Sequence, residues 1–162
     1  MSTRPPQPAS DGIPPDARIA VIASRFNETI VDELLKGCVV RLTELGVGGE
    51  QVDVQRVPGA CELPVAASVL AGTRRFAAII CLGCVIRGET PHFDFVAGEC
   101  ARGIQQVALT HSLPVIFGVL TTNTEQQAWD RAGGKHGHAG RRAADAAAEM
   151  IVLALRARGS AR

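Results

Sequence analysis

The stretch that decides the fold is Ala77-Ala-Ile-Ile-Cys-Leu-Gly-Cys-Val85, an uncharged run rich in apolar side chains. A short apolar run between polar segments is typical of a strand that is buried on both faces. Arg87-Gly-Glu-Thr-Pro91 follows as a turn, and helical periodicity then extends from about Phe93 to Thr110. The central part of the chain therefore predicts a strand followed by a helix.

The same unit occurs on both sides of this stretch. Three further apolar runs predict strands, at Arg18–Ser24, Val52–Val57 and Pro114–Leu120. Apolar side chains at helical spacing predict the remaining helices, at about Ile30–Leu45 before Gly46, Leu63–Ala71, Thr124–Ala132 with Thr124 as N-cap, and Arg141–Arg158 after the glycine-rich link Gly133–Gly140. Four strands buried on both faces and alternating with helices predict an α/β, three-layer, flavodoxin-like sandwich. Its four-stranded parallel sheet carries helices on both faces.

Length and composition indicate a single domain. The chain has 162 residues, of which 46% are hydrophobic and 20% are charged. Residues 1–16 contain five prolines and predict a flexible arm, residues 17–158 the α/β domain, and residues 159–162 a tail. A formal net charge of +1 provides no basic field for nucleic acid. We also expect no membrane span and no signal peptide, because no apolar run approaches about 20 residues, and we expect a cytoplasmic location.

The cysteines do not indicate a disulfide framework, and buried free thiols are expected at Cys81 and Cys84. They are five in number, an odd count, and are widely spaced. Cys81 and Cys84 have the spacing of a metal or redox pair, but residues three apart on a strand point to opposite faces. The structural interpretation is therefore favoured. His136 and His138, in the glycine-rich link, are predicted to be solvated rather than to bind metal.

Polar and aromatic residues gather at the predicted carboxyl ends of the strands, where parallel sheets bind ligands. The four loops are residues 24–27, 58–64, 83–92 and 117–123. Phe26 is either a core residue or a ring that stacks on a flat heterocycle. Gly88-Glu-Thr-Pro-His92 is either a capped helix start or an anion site. The nucleotide motifs Gly-Lys-Ser/Thr and Gly-x-Gly-x-x-Gly are not found in these loops, which makes ATP and NAD poor candidates.

Two further side chains have both a structural and a chemical interpretation. His92 is either structural or a proton-transfer group, because the unperturbed imidazole pKa of about 6.5 suits proton transfer at neutral pH. Arg131 is either a solvated charge or a phosphate clamp.

Taken together, the loops resemble 6,7-dimethyl-8-ribityllumazine synthases, enzymes of riboflavin biosynthesis. The resemblance runs from about Arg18 to Ala154. It is carried by five motifs, namely Arg25-Phe-Asn27, Pro58-Gly-Ala-Cys-Glu-Leu-Pro64, Gly83-Cys-Val-Ile-Arg-Gly-Glu-Thr-Pro-His-Phe-Asp94, Phe117-Gly-Val-Leu-Thr-Thr122 and Asp130-Arg-Ala-Gly133.

The resemblance implies a transferase that condenses 5-amino-6-ribitylamino-2,4-pyrimidinedione with 3,4-dihydroxy-2-butanone 4-phosphate. Phosphate and water leave, and neither a metal nor a redox cofactor is used. His92 would shuttle protons, Phe26 would stack on the pyrimidinedione, and Ala60 and Glu62 would meet its ribityl chain. The other implied substrate-binding residues are Asn27, Cys61, Val85, Ile86 and Phe117. The implied phosphate-binding residues are Gly88, Glu89, Thr90 and Arg131, with Arg131 arriving from an adjacent subunit.

The resemblance also implies assembly. Members of the family form pentamers, and some stack into decamers or close into sixty-subunit shells, so we expect at least a pentamer here. The proline-rich arm would add to a neighbour's sheet. Riboflavin synthase is a further candidate partner.

The chain departs from the family pattern at two positions. Cys61 stands where an aromatic residue is common, and Ala139 stands where a lysine is expected to touch substrate. His138 or Lys135 is a candidate to compensate for that lysine. These departures keep two alternatives open, a non-catalytic protein that binds flavin or lumazine and a shell-forming paralogue.

Overall fold

Four parallel strands form the central sheet of the computed structural model, which describes residues 12–159. They are β1 (Ile19–Ser24), β2 (Val52–Val57), β3 (Ala78–Ile86) and β4 (Val115–Thr122). Their order in the sheet is β2-β1-β3-β4, as the predicted fold class requires. Residues 1–11 of the predicted arm and residues 160–162 of the predicted tail lie outside the described residues.

Five helices accompany the sheet in residues 12–159. They are α1 (Glu28–Glu44), α2 (Leu63–Gly72), α3 (His92–His111), α4 (Glu125–Trp129) and α5 (Ala139–Gly159). Short 3₁₀ turns occupy Gly49–Gln51 and Ala60–Glu62. All five α-helices were predicted from the sequence, with bounds that differ by a few residues. None of the helices in this part of the chain is long and apolar enough to cross a membrane.

The sheet separates two hydrophobic cores, because successive side chains of a strand point to opposite faces. On β1, Ile19 and Val21 pack with α1 and α5, whereas Ile22 packs with α2 and α3. Cys84 lies in the first core and Cys81 in the second. The two sulfurs therefore diverge, and the prediction that they are buried on opposite faces is confirmed.

Two helix ends follow the sequence signals. Gly46 comes after α1 with φ +88°, a left-handed conformation that costs glycine little. The Thr124 side chain accepts a hydrogen bond from the Gln127 amide at 3.2 Å and caps α4. Helix α1 therefore ends, and helix α4 begins, close to the predicted boundaries.

The structure corrects two sequence predictions. Strand β2 is not buried on both faces, since it is an edge strand whose residues Val54, Gln55 and Arg56 are exposed. The predicted helix Thr124–Ala132 ends earlier, at Trp129, because Ala132 belongs to β5 (Ala132–Gly134), which forms a small antiparallel hairpin with β6 (Gly137–His138). Helix α5 then begins at Ala139, two residues before the predicted start.

Candidate functional site

A pocket of about 380 Å³ opens where the loops after β1, β2 and β3 meet the first turns of α3. Ten of the predicted site residues line it, namely Phe26, Asn27, Ala60, Cys61, Glu62, Val85, Ile86, Gly88, Thr90 and His92. Four lining residues were not singled out as site residues from the sequence, namely Gly59, Cys84, Phe93 and Val96. The sequence contained a signal for these four residues, because all four lie in or beside the motifs that supplied the predicted site residues.

The loop after β1 holds Phe26 outside the core. The Phe26 amide donates to the Pro58 carbonyl at 3.1 Å, and the Asn27 side-chain amide donates to the Cys84 carbonyl at 2.9 Å. Asn27 adopts φ 56°, a left-handed conformation that asparagine tolerates better than most residues. The Phe26 side chain is 71% exposed. An aromatic ring is thus fixed at the rim of the pocket instead of packing in the protein.

The turn before α2 forms a second wall. It is the 3₁₀ turn Ala60–Glu62, whose Glu62 amide donates to the Gly59 carbonyl at 3.3 Å. Ala60 is buried, and Leu63 follows as a fully buried anchor. Cys61 and Glu62 are exposed toward solvent, so a thiol and a carboxylate stand beside the pocket.

The third wall is the loop before α3, and it presents the amino end of a long helix. Helix α3 has 20 residues, and Pro91 at its N-cap supplies no side-chain hydrogen bond to the first turn. Uncapped first-turn amides and the helix dipole both favour an anion at such an end. Gly88 and Thr90 are exposed immediately before it. The geometry therefore suits a phosphate group, which can accept hydrogen bonds from amides and from the Thr90 hydroxyl.

Arg87 ties this loop to two neighbouring elements. Its backbone amide donates to the Thr122 carbonyl at 2.8 Å, and its Nε donates to the Asn123 side-chain oxygen at 3.1 Å. One guanidinium nitrogen donates to an Asp94 carboxylate oxygen at 3.0 Å, and the guanidinium carbon lies 4.3 Å from the centre of the Phe93 ring. The end of β4 and the first turn of α3 are thus joined through one side chain.

His92 is the first residue of α3 and lines the pocket with an exposed imidazole. Cys84 also lines it, but burial raises the pKa of this thiol to about 11, so it stays protonated at neutral pH. A protonated thiol is a poor nucleophile. Within residues 12–159, no three His, Cys, Asp or Glu side chains are grouped so that they could hold a metal ion.

Three predicted site residues do not line this pocket. Phe117 pairs with Cys81 in the middle of β4, well before the carboxyl end of the strand, and its side chain is 41% exposed. Arg131 follows α4 and donates to the Gln127 carbonyl at 2.9 Å. Glu89 lies in the loop between Gly88 and Thr90 with its side chain exposed to solvent.

The hairpin of β5 and β6 holds one of its two nearby histidines against helix α1. His136 is exposed, as predicted, but His138 is half-buried and its ring packs against Gly37 of α1. The prediction that His138 is solvated is wrong, and the reason is this contact with a residue distant in sequence. Burial lowers the pKa of the His138 imidazole, so it is neutral at pH 7 and cannot replace a lysine charge. Lys135 is exposed and pairs with Asp130 at 3.2 Å.

Comparisons with known proteins identify the family of this chain. The family model described as 6,7-dimethyl-8-ribityllumazine synthase matches residues 16–154. Proteins named 6,7-dimethyl-8-ribityllumazine synthase from two strains of Coxiella burnetii, CbuG_Q212 and RSA 493 / Nine Mile phase I, are each 48% identical over 136 residues. The aligned region covers 84% of this chain and 90% of each relative. The chain therefore belongs to the 6,7-dimethyl-8-ribityllumazine synthase family.

Proposed function

We propose that this chain condenses 5-amino-6-ribitylamino-2,4-pyrimidinedione with 3,4-dihydroxy-2-butanone 4-phosphate to give 6,7-dimethyl-8-ribityllumazine, with release of phosphate and water. One observation carries the proposal for the site. An exposed aromatic ring, an uncapped helix amino end and an exposed imidazole share one pocket of about 380 Å³. A flat heterocycle, a phosphate and a proton relay require these three features respectively.

The pyrimidinedione occupies the side of the pocket near Phe26. The ring stacks on the heterocycle, because offset stacking of flat π-systems stabilises such contacts by about 0.5–1.5 kcal/mol beyond area burial. Ala60 and Glu62 meet the ribityl chain, whose hydroxyls can donate to the Glu62 carboxylate. Asn27, Cys61, Val85 and Ile86 complete the wall around the heterocycle.

The butanone phosphate occupies the side near α3. Its phosphate accepts hydrogen bonds from the amides of residues 88–90 and from the Thr90 hydroxyl, at the positive end of the helix dipole. His92, the first residue of α3, lies beside this corner and moves protons as the amine attacks the ketone and the ring closes. The side chain of Glu89 faces solvent, so its contribution to phosphate binding comes from its backbone.

A neighbouring copy completes the site. Phe117 and Arg131 do not line this chain's own pocket, and we propose that they serve the pocket of an adjacent subunit in a pentamer or a multiple of it. A groove along the β4 edge supports this assembly, because its exposed apolar residues include Leu109, Met150 and Leu153. Riboflavin synthase is proposed as the partner that takes the lumazine product.

Positioning supplies most of the rate enhancement in this proposal. Well-oriented reactants gain roughly 7–11 kcal/mol over reactants that must meet in solution. General acid–base catalysis by one side chain adds about 10²- to 10⁴-fold. The bound phosphate fixes the ketone, and the stacked ring fixes the amine that attacks it.

The experiment that tests the function follows lumazine absorbance after the purified chain is mixed with both substrates, beside a control without enzyme. We expect turnover above background that saturates with each substrate. A background rate together with tight binding of lumazine or riboflavin would instead identify a non-catalytic binding protein.

A further inference from the structure

A second cavity lies at the opposite edge of the sheet from the candidate pocket. Its volume is about 630 Å³, and its floor includes Phe76, Ala77 and Pro114, at the amino ends of β3 and β4. The carboxyl ends of α2, α3 and α5 and the segment before β1 form its walls. Cavities of about 300–1,000 Å³ are typical of small-molecule sites.

The walls of this cavity are strongly basic. Four arginines and one histidine line it, namely Arg18, Arg74, Arg75, Arg158 and His111. Asp16 is the one carboxylate among its lining residues in the described part of the chain. Elsewhere, Arg41, Arg56 and Arg87 each form an ion pair with a carboxylate. In residues 12–159, none of the four arginines in the cavity does so.

Their existing contacts leave most of their hydrogen-bonding capacity free. Arg75 lies over the Phe76 ring, with 5.3 Å between the guanidinium carbon and the ring centre. Arg158 donates one long hydrogen bond of 3.4 Å to the Ser112 carbonyl. Each guanidinium has five N–H donors in a planar fork. The ring contact of Arg75 uses none of these donors and the Arg158 bond uses one, so both guanidinium groups keep N–H pairs that can bind an oxyanion in a bidentate manner.

The negative carboxyl ends of the helices offset only part of this positive charge. A helix carboxyl end carries roughly −0.5 of a unit charge, so three of them contribute about −1.5. Four arginines and one aspartate give a formal charge of +3 when His111 is neutral. About +1.5 of a unit charge therefore remains uncompensated. A dianion or a larger polyanion would balance it.

We propose that this cavity binds a small molecule that carries two or more phosphate groups. Arginine forks match phosphate oxygens in geometry and charge, and four of them exceed what a single phosphate can use. The concave shape favours a small molecule over the extended backbone of a nucleic acid. The site is separate from the candidate pocket, which lies at the carboxyl ends of the strands.

Inorganic pyrophosphate is the probe, and isothermal titration calorimetry on the full chain at physiological salt is the measurement. We expect one pyrophosphate bound per chain at this cavity, and a dissociation constant at least about tenfold higher in the double variant Arg74→Gln/Arg75→Gln. Arg18→Gln gives a second, independent test. Orthophosphate should bind more weakly than pyrophosphate at this site.

The control double variant Arg102→Gln/Arg142→Gln removes the same charge from two exposed arginines elsewhere and should bind as the wild type does. Thr90→Ala separates the cavity from the predicted phosphate loop, so pyrophosphate binding should persist in it. Equal weakening in both double variants, or no binding in the wild type, would overturn the proposal. Binding of a short single-stranded RNA without binding of pyrophosphate would overturn it as well.

Discussion

His92 is the residue whose chemistry the proposed reaction needs most. Its imidazole lies at the amino end of α3 and lines the same pocket as the Phe26 ring. In the proposed site, backbone amides, Thr90 and Phe26 position the substrates without this side chain. We therefore expect His92 to contribute a rate factor and not the whole of catalysis.

We predict that His92→Ala lowers kcat by about 10²- to 10⁴-fold and leaves measurable turnover. His111→Ala, at the other end of the same helix, is the matched control and should retain wild-type turnover. Steady-state kinetics of both variants checks the prediction. An unchanged kcat/KM in His92→Ala would remove His92 from the mechanism.

His138 makes folding sensitive to acid. Its folded-state pKa is lowered by burial, so the unfolded chain binds the proton more strongly. We predict that the free energy of unfolding decreases as the pH falls through about 6.5 and toward the lower folded-state pKa. His138→Gln should show a smaller decrease than the wild type between pH 7.5 and pH 5.5 in urea unfolding.

The exposed His136 supplies the control for this measurement. His136→Gln should keep the pH dependence of the wild type, since that side chain lies in solvent. If His136→Gln and His138→Gln lose the same amount of pH dependence, the buried imidazole is not its source.

Arg87 joins β3, the end of β4 and the first turn of α3, and so holds the loop that is proposed to bind phosphate. We predict that Arg87→Met raises KM for the butanone phosphate about tenfold, with a smaller effect on KM for the pyrimidinedione. Arg87→Lys should recover part of the loss, because it keeps the charge without the fork.

Arg102→Met is the matched control for this prediction, since Arg102 lies on α3, the helix that Arg87 contacts, and forms an exposed pair with Glu99. It should leave both KM values unchanged. If Arg87→Met instead lowered the thermal stability and changed both KM values equally, Arg87 would be a structural residue only.

Two helical glycines differ in how closely they pack against a neighbouring helix. A Cβ on Gly140 of α5 would overlap the backbone of Leu34 in α1, whereas a Cβ on Gly98 of α3 would meet open space. We predict that Gly140→Ala destabilises the fold by roughly 1–3 kcal/mol. Gly98→Ala should stabilise it by up to about 1 kcal/mol, since alanine is the better helix former. Urea unfolding of both variants measures the difference, and equal effects would contradict it.

Sequence patterns predicted the main elements because each has a clear period. The run from Ala77 to Val85 is apolar throughout, and β3 occupies Ala78–Ile86. The hairpin of β5 and β6 was missed because residues 133–138 are mostly glycine and polar, without the alternation that marks a strand. Burial of His138 was missed because it depends on Gly37, which is remote in sequence.

The candidate site was predictable to the extent that it lies at one edge of one sheet. Phe26, Glu62 and His92 come from three separate motifs, and the parallel strands bring them together. Phe117 did not join them, because it lies inside the predicted strand Pro114–Leu120 and not at its end. Phe117 and Arg131 are proposed to serve a neighbouring subunit, and that role depends on contacts between chains.

At the scale of the whole molecule, the edge of the sheet at β4 is the surface to test for assembly. Leu109 and Leu153 are 68% and 57% exposed beside this edge, which is unusual for large apolar side chains in a groove. We predict that Leu109→Glu/Leu153→Glu lowers the sedimentation coefficient to that of smaller species. Val40→Glu, on α1, is the control and should keep the wild-type value.

A wild-type protein that sediments as a monomer would contradict the proposed pentamer. A double variant that sediments like the wild type would place the contact on another surface. Circular dichroism of both variants separates lost assembly from lost folding.

The hydrogen bonds around Phe26 bear on the entropy of binding. Backbone donors at Arg25 and Phe26 and the side-chain amide of Asn27 fix this loop to β2 and β3 through contacts within the protein. Immobilising a mobile side chain typically costs about 0.5–1.5 kcal/mol on association, and a mobile loop costs more. Here folding has already supplied that order. Affinity for the heterocycle should therefore depend on the contact itself, with little loss to induced ordering of the loop.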